Sequence, residues 1–208
     1  MGVAVLVLGR SGSGKSTSLR NFEPGEIGVL NVIGKPLPFR KRLDVYDCPD
    51  YDAVYKTISA AKRNAYAVDD AGYLMSNENF ARARERGYEK FVDMAANYQH
   101  VFACVQAAPP SVVVYVMMHT DLDATGREKP RTVGKMLDEK YCIEGVAPIV
   151  FDADVVDGKH VFHTTSDGSN LAKAPMGMFE PVIDNDLKAV DAAIRDYWGL
   201  EPLTKADE

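Results

Sequence analysis

Cysteine is scarce in this 208-residue chain: Cys48, Cys104 and Cys142 are odd in number, widely spaced and without a C-x-x-C pair. That pattern suggests neither a disulfide framework nor a zinc site, and reduced, mostly packed thiols are expected. No apolar run approaches the roughly 20 residues that cross a bilayer, and repeats and low-complexity tracts are lacking. Basic residues are in deficit too, with 24 Lys and Arg against 30 Asp and Glu, a net charge of −6. This excludes a uniformly basic coat for nucleic acid and confines such contact to a local patch or an assembly. The remainder, 46% hydrophobic and 26% charged, suits one well-buried domain, expected over residues 1–200 and followed by an acidic, frayed tail over 201–208. Met1-Gly2-Val3 runs straight into an apolar strand, so no leader, no membrane association and a cytoplasmic location are expected.

Against that background one stretch stands out. Val3 to Leu8 is an unbroken, β-branched apolar run of strand length, suited to a parallel strand buried on both faces. Gly9, Arg10, Ser11, Gly12, Ser13, Gly14, Lys15, Ser16 and Thr17 come next, and Gly9, Gly14, Lys15 and Ser16 complete the phosphate-loop pattern G-x-x-x-x-G-K-[ST]. Glycines let successive backbone amides curl around an anion. A helix expected from Lys15 to Asn21 points its positive end at the same place. In this pattern Lys15 offers a mobile cation to β- and γ-phosphates, and the Ser16 hydroxyl is placed to ligate Mg²⁺; Thr17 is expected to pack.

The remaining chemistry falls at strand ends. Asn64 to Ala71 reads as an apolar strand closing on Asp69 and Asp70, with Asp69 as the metal-side carboxylate. Asp70 either polarises an attacking water or turns the chain before Gly72. A second apolar strand, Ser111 to Met118, ends in His119-Thr120-Asp121. There His119 or Thr120 senses a γ-phosphate, or Asp121 and Asp123 satisfy a local turn. Between these lie a proline-rich connection, Gly34 to Arg42, with four basic residues in nine positions, and a helical pattern from Ser76 to about Ala107 that Gly87 is placed to interrupt. The first is a solvated loop or a polyanion contact. Thr125 to Lys135 reads as a glycine-rich basic loop, in which Arg127, Lys129, Arg131 and Lys135 are candidates to reach DNA or a neighbour's nucleotide. Ile149–Val156, Asp157-Gly158 and Lys159–Thr165 form a β-hairpin pattern, and a C-terminal helix begins after Asp184.

With these landmarks the sequence resembles the small phage-encoded P-loop ATPases with a RecA-like core, often labelled AAA-family ATPases, one group of which serves single-strand DNA annealing and recombination. The resemblance runs through the Gly9 to Thr17 loop, Asn31 to Phe39, Val68 to Asp70, Gly87 to Phe91, His119 to Asp121, Thr132 to Lys140 and Pro175 to Phe179. Arg10 departs from the acidic residue expected in such a loop. The resemblance implies an α/β P-loop NTPase fold: a RecA-like, mostly parallel sheet flanked by helices and extended by the antiparallel hairpin. It further implies ATP and Mg²⁺ as cofactors, homo-oligomerisation, and action on single-stranded DNA in the cytoplasm of a bacterial host, alongside a phage or host single-strand-binding or recombination protein. Two other readings stay open. A small-molecule kinase would need a lid such as Arg127 to Arg131 and an acceptor pocket. An ATP-gated assembly protein would bind nucleotide tightly and turn over little.

Overall fold

The computed structural model describes residues 1–203; the last five residues of the expected tail, 204–208, lie outside the described residues. Within the described residues, ten strands and six helices form a layered α/β structure. The strands are β1 (Val3–Leu8), β2 (Gly28–Asn31), β3 (Asp44–Asp47), β4 (Ala65–Asp69), β5 (Val113–Met118), β6 (Thr120–Leu122), β7 (Glu128–Pro130), β8 (Ile149–Val156), β9 (Lys159–His163) and β10 (Val182–Asp184). The helices are α1 (Tyr51–Ala60), α2 (Gly72–Ala81), α3 (Glu89–Ala107), α4 (Lys135–Glu139), α5 (Ile143–Val146) and α6 (Leu187–Trp198).

Eight strands make one sheet in the order β10-β9-β8-β1-β5-β4-β2-β3. From β8 to β3 every pairing is parallel, and β9 and β10 extend it antiparallel. The Asp157-Gly158 turn that joins β8 to β9 takes φ of +50° and +75°, the angles a two-residue hairpin turn needs. Alternation along β1 sorts the core into two halves. Ala4, Leu6 and Leu8 pack under α1, α2 and α3; Val5 and Val7 pack under Leu19, Phe22 and the Leu187, Val190 and Ile194 stripe of α6. Burial on both faces is why β1 tolerates no polar residue.

The structure departs from the sequence expectations at four places. The helix expected from Lys15 is a six-residue 3-10 segment, Ser16–Asn21; Ser18 Oγ donates to the Lys15 carbonyl (2.5 Å), the kind of hydroxyl competition that spoils an α-helical turn. So short a segment supplies little dipole. The pattern from Ser76 to Ala107 is interrupted at Gly87, φ +108°, as the sequence places it, but its first helix, α2, starts already at Gly72, before Ser76. There the Arg82 guanidinium binds Glu78 (3.0 Å), Glu85 (2.7 Å) and Asp93 (2.9 Å), clasping both helices. The basic stretch after Thr125 is not all loop, because β6 and β7 pair across it. Finally, Leu203 of the expected tail donates its amide to Asn64 Oδ1 (2.8 Å) and packs on the core. Among the described residues no helix is long and apolar enough to cross a membrane.

Candidate functional site

Because β1, β5, β4 and β2 are parallel neighbours, their C-terminal ends stand in a row. β1 ends at Leu8 against Met118 of β5, and β2 ends at Asn31 against Asp69 of β4. The segments leaving these strands therefore meet along one edge, where open α/β sheets bind ligands. After β1 comes the glycine loop, after β5 His119 and Thr120, at the end of β4 Asp69 and Asp70, and after β2 the connection carrying Lys35.

The glycine loop is tight. Gly9 and Gly14 take φ of +148° and +101°, and a Cβ on Gly14 would lie 2.8 Å from His160 Nδ1. Within the loop the Ser13 amide donates to Arg10 O (3.2 Å); among the described residues no protein group accepts from the amides of Gly12, Gly14 or Lys15. Ser11 and Gly12 are exposed, Ser13 is buried, and Thr17 is half-buried as its packing role anticipates. Lys15 turns back over the loop: Nζ donates to Gly9 O (2.7 Å), Arg10 O (2.9 Å) and His119 Nδ1 (3.3 Å). Burial pushes its pKa down to about 8, with Asp70 and Asp69 opposing the shift. Ser16 Oγ donates to Asp69 Oδ1 at 2.7 Å. Asp69 is 2% exposed, and burial raises its pKa while the Ser16 hydroxyl lowers it.

Asp70 and His119 complete an unbroken polar chain. An ammonium donates only, so His119 Nδ1 accepts from Lys15 and Nε2 carries the proton directed at Asp70 Oδ1, 3.2 Å away. Asp70 Oδ2 receives Lys35 Nζ. Burial alone would raise the Asp70 carboxyl, but His119 and Lys35 outweigh it and hold it near 2. Asp70 also takes φ of +60°, uncommon outside glycine. Tyr73 of α2 packs edge-on against the His119 ring, centroids 6.1 Å apart. Thr120 Oγ1 is buried without a partner among the described residues. Beside them opens a cleft of about 520 Å³ lined in part by Arg10, Ser11, Tyr73, His119 and Arg131.

The residues singled out in the sequence thus converge, with two exceptions. Arg10 leans outward, its side chain 71% exposed and 3.7 Å from Glu128. The basic stretch is only partly at the site: Lys129 pairs with Asp138, whereas Arg131 binds Asp121 at 2.7 Å on the wall of the cleft and donates its amide to His119 O (2.8 Å). Asp123 Oδ1 accepts from Thr125 N (2.7 Å) and Arg127 N (3.0 Å), so the turn expected for it is present. The sequence places Lys35 in a basic connection, a solvated loop or a polyanion contact, and within the Asn31 to Phe39 stretch of the resemblance, but does not bring it to Asp70. The signal was Asn31, a polar residue ending an apolar strand, followed by Gly34 and Pro36 around the lysine.

A second acidic group flanks the loop. Asp152 of β8 is 9% exposed, and burial, then Glu128 and Asp154, push it up to about 7. Its folded pKa exceeds the unfolded value of 3.8, so the folded state holds the proton more tightly and stability falls as pH climbs from about 4 to about 7. Asp152→Asn is therefore expected to stabilise the protein at pH 8 by on the order of 1–2 kcal/mol and to change nothing below about pH 4. Thermal melts of parent and variant at both pH values check this.

Compared with known proteins, the chain matches no family model, and no curated protein matches it.

Proposed function

We propose that this protein is a P-loop ATPase that binds and hydrolyses Mg·ATP at the edge formed by β1, β4 and β5. The observation that carries the reading is the 2.7 Å contact of Ser16 Oγ with Asp69 Oδ1, which seats a glycine loop and its lysine against a buried carboxylate from a strand two places away. The donor set suits the ligand. Ser16 and Asp69 present hard oxygens of the kind Mg²⁺ takes, and among the described residues the Gly12, Gly14 and Lys15 amides face no acceptor. Lys15 brings the charge that a polyphosphate neutralises. Magnesium, when bound, draws charge from the phosphoryl oxygens. The chain's part is to hold that charge with Lys15, fix His119 through Asp70, and keep the Ser16 to Asp69 pair in place.

The family resemblance extends the proposal to a RecA-like enzyme that assembles with its own copies and acts on single-stranded DNA during phage recombination, annealing or replication in the host cytoplasm. Its support is the run of shared motifs from the Gly9 to Thr17 loop to Pro175–Phe179. Hydrolysis measured with and without Mg²⁺ and single-stranded DNA tests both levels. Asp69→Asn is expected to lower Mg²⁺-dependent turnover by roughly 100-fold or more, and DNA binding is expected to weaken steeply with salt. No turnover with or without DNA removes the ATPase reading.

The cleft of about 520 Å³ beside His119 supports a second reading, a small-molecule kinase with its acceptor there. Phosphoryl transfer to small hydroxyl or phosphate acceptors, in place of hydrolysis, identifies that case.

A further inference from the structure

Lys35 belongs to a surface connection, yet its ammonium lies on the Asp70 carboxylate, and three local devices aim it there. Asn31, 8% exposed at the end of β2, donates from Nδ2 to the Lys35 carbonyl (2.8 Å) and accepts the Gly34 amide at Oδ1 (3.0 Å). Gly34 takes φ of +70°, a turn that side chains resist. Pro36 restricts the Lys35 backbone to extended angles. Asn31 is also the register partner of Asp69, so the bracket stands on the same strand ends as the site. A lysine that merely solvates a loop needs no such mounting.

Asp70 is correspondingly committed. His119 Nε2 faces its Oδ1 and Lys35 Nζ its Oδ2, whereas a carboxylate that activates water must offer an oxygen to the proton it takes. Lys15 and Lys35 stand on either side of this pair, Lys15 through His119 and Lys35 directly. Resting on the Mg·ATP reading, we propose that Lys35 is a second phosphate-facing cation of the site, supplied by the same chain, and that Asp70 anchors it and His119 instead of serving as the base. An ammonium has three N–H donors, so Lys35, its side chain 43% exposed, keeps donors for a developing phosphoryl charge while it stays on Asp70. The charge that a neighbouring subunit would otherwise deliver then comes from within.

The test compares the parent chain with Lys35→Met, Lys35→Arg, Asp70→Asn and the double variant Lys35→Met with Asp70→Asn. Readouts are steady-state turnover, affinity for Mg·ADP, and affinity for Mg·ADP with aluminium fluoride as the transition-state mimic. Lys35→Met is expected to lose about 100-fold in turnover and the tighter binding of the fluoride complex, while Mg·ADP affinity stays within about twofold. Lys35→Arg keeps the fluoride complex tight. Asp70→Asn loses about as much as Lys35→Met, and the double variant loses little more, because both act through one group. Turnover per chain holds constant on dilution. Full turnover in Lys35→Met overturns the proposal, as does a parallel loss of Mg·ADP affinity, which marks a structural brace. Loss in Asp70→Asn alone restores Asp70 as the base, and turnover that falls with dilution returns the cation to a neighbour. Should Lys35→Met not fold, Lys35→Arg and Asp70→Asn carry the same comparison. A parent chain that binds no Mg·ADP is a different result, overturning the Mg·ATP reading itself.

Discussion

Lys15→Ala is expected to abolish every nucleotide effect while leaving the free protein close to its original stability. Two terms oppose each other in the free protein. The substitution removes an ammonium that burial disfavours, its pKa pushed down to about 8. It also strips the donor from the Gly9 and Arg10 carbonyls, at about 1–3 kcal/mol for the buried Gly9 group left unpaired and less for the part-exposed Arg10 group. Under the proposed function nothing opposes the loss at the ligand, where the lysine charge would meet the phosphates. Parent protein saturated with Mg·ATP at 100 times its Kd gains about 2.7 kcal/mol by mass action, read as a rise in melting temperature. The variant is expected to show no rise and a turnover lower by about 1,000-fold or more. If it keeps the Mg·ATP-dependent rise, the glycine loop is not the phosphate site.

Gly9→Ala is expected to strike the fold itself. Gly9 holds φ at +148°, and a Cβ there would lie 2.6 Å from the Ala153 carbonyl oxygen and 2.5 Å from Ser13 Oγ. The Ser13 hydroxyl can rotate away, but the carbonyl belongs to β8, the strand paired with β1, and cannot move without pulling the sheet. Backbone strain of about 1–2 kcal/mol adds to the overlap, for a total near 3 kcal/mol or above. At roughly 2–4 °C per kcal/mol for a chain of this size, the melting temperature is expected to fall by about 6–12 °C. Gly12→Ala is the control, since a Cβ there meets nothing within 4 Å, leaving only the strain of its φ of +83°. Equal melting temperatures for Gly9→Ala and Gly12→Ala would show that β8 does not press on the loop.

Legibility in the sequence tracked the reach of each interaction. The strand, glycine loop and lysine occupy fifteen consecutive residues, Val3 to Thr17, and were readable because their pattern is local. Asp69 was readable for the same reason, as an acid closing an apolar run. The parallel order of strands could only be anticipated, since β1 pairs with residues more than a hundred positions away. Lys35 was not legible as part of the site, because its meaning depends on Asp70 standing across an intervening strand pairing. The β6–β7 pairing hid behind glycine and charge: its strands are three residues each, too short for a period to show. The break between α2 and α3 was foreshadowed by Gly87, yet the Arg82 clasp that fixes it uses partners eleven residues apart.

The placing of β1 at the centre of the sheet has a consequence for how the molecule comes into being. Its two neighbours, β5 and β8, begin at Val113 and Ile149, so β1 is made long before the strands that enclose it. While the ribosome works, those six residues have no partners on either side, and the loop after them has neither His119 to receive Lys15 nor Ala153 to back Gly9. The glycine loop therefore acquires its surroundings only when β5 and β8 have both emerged.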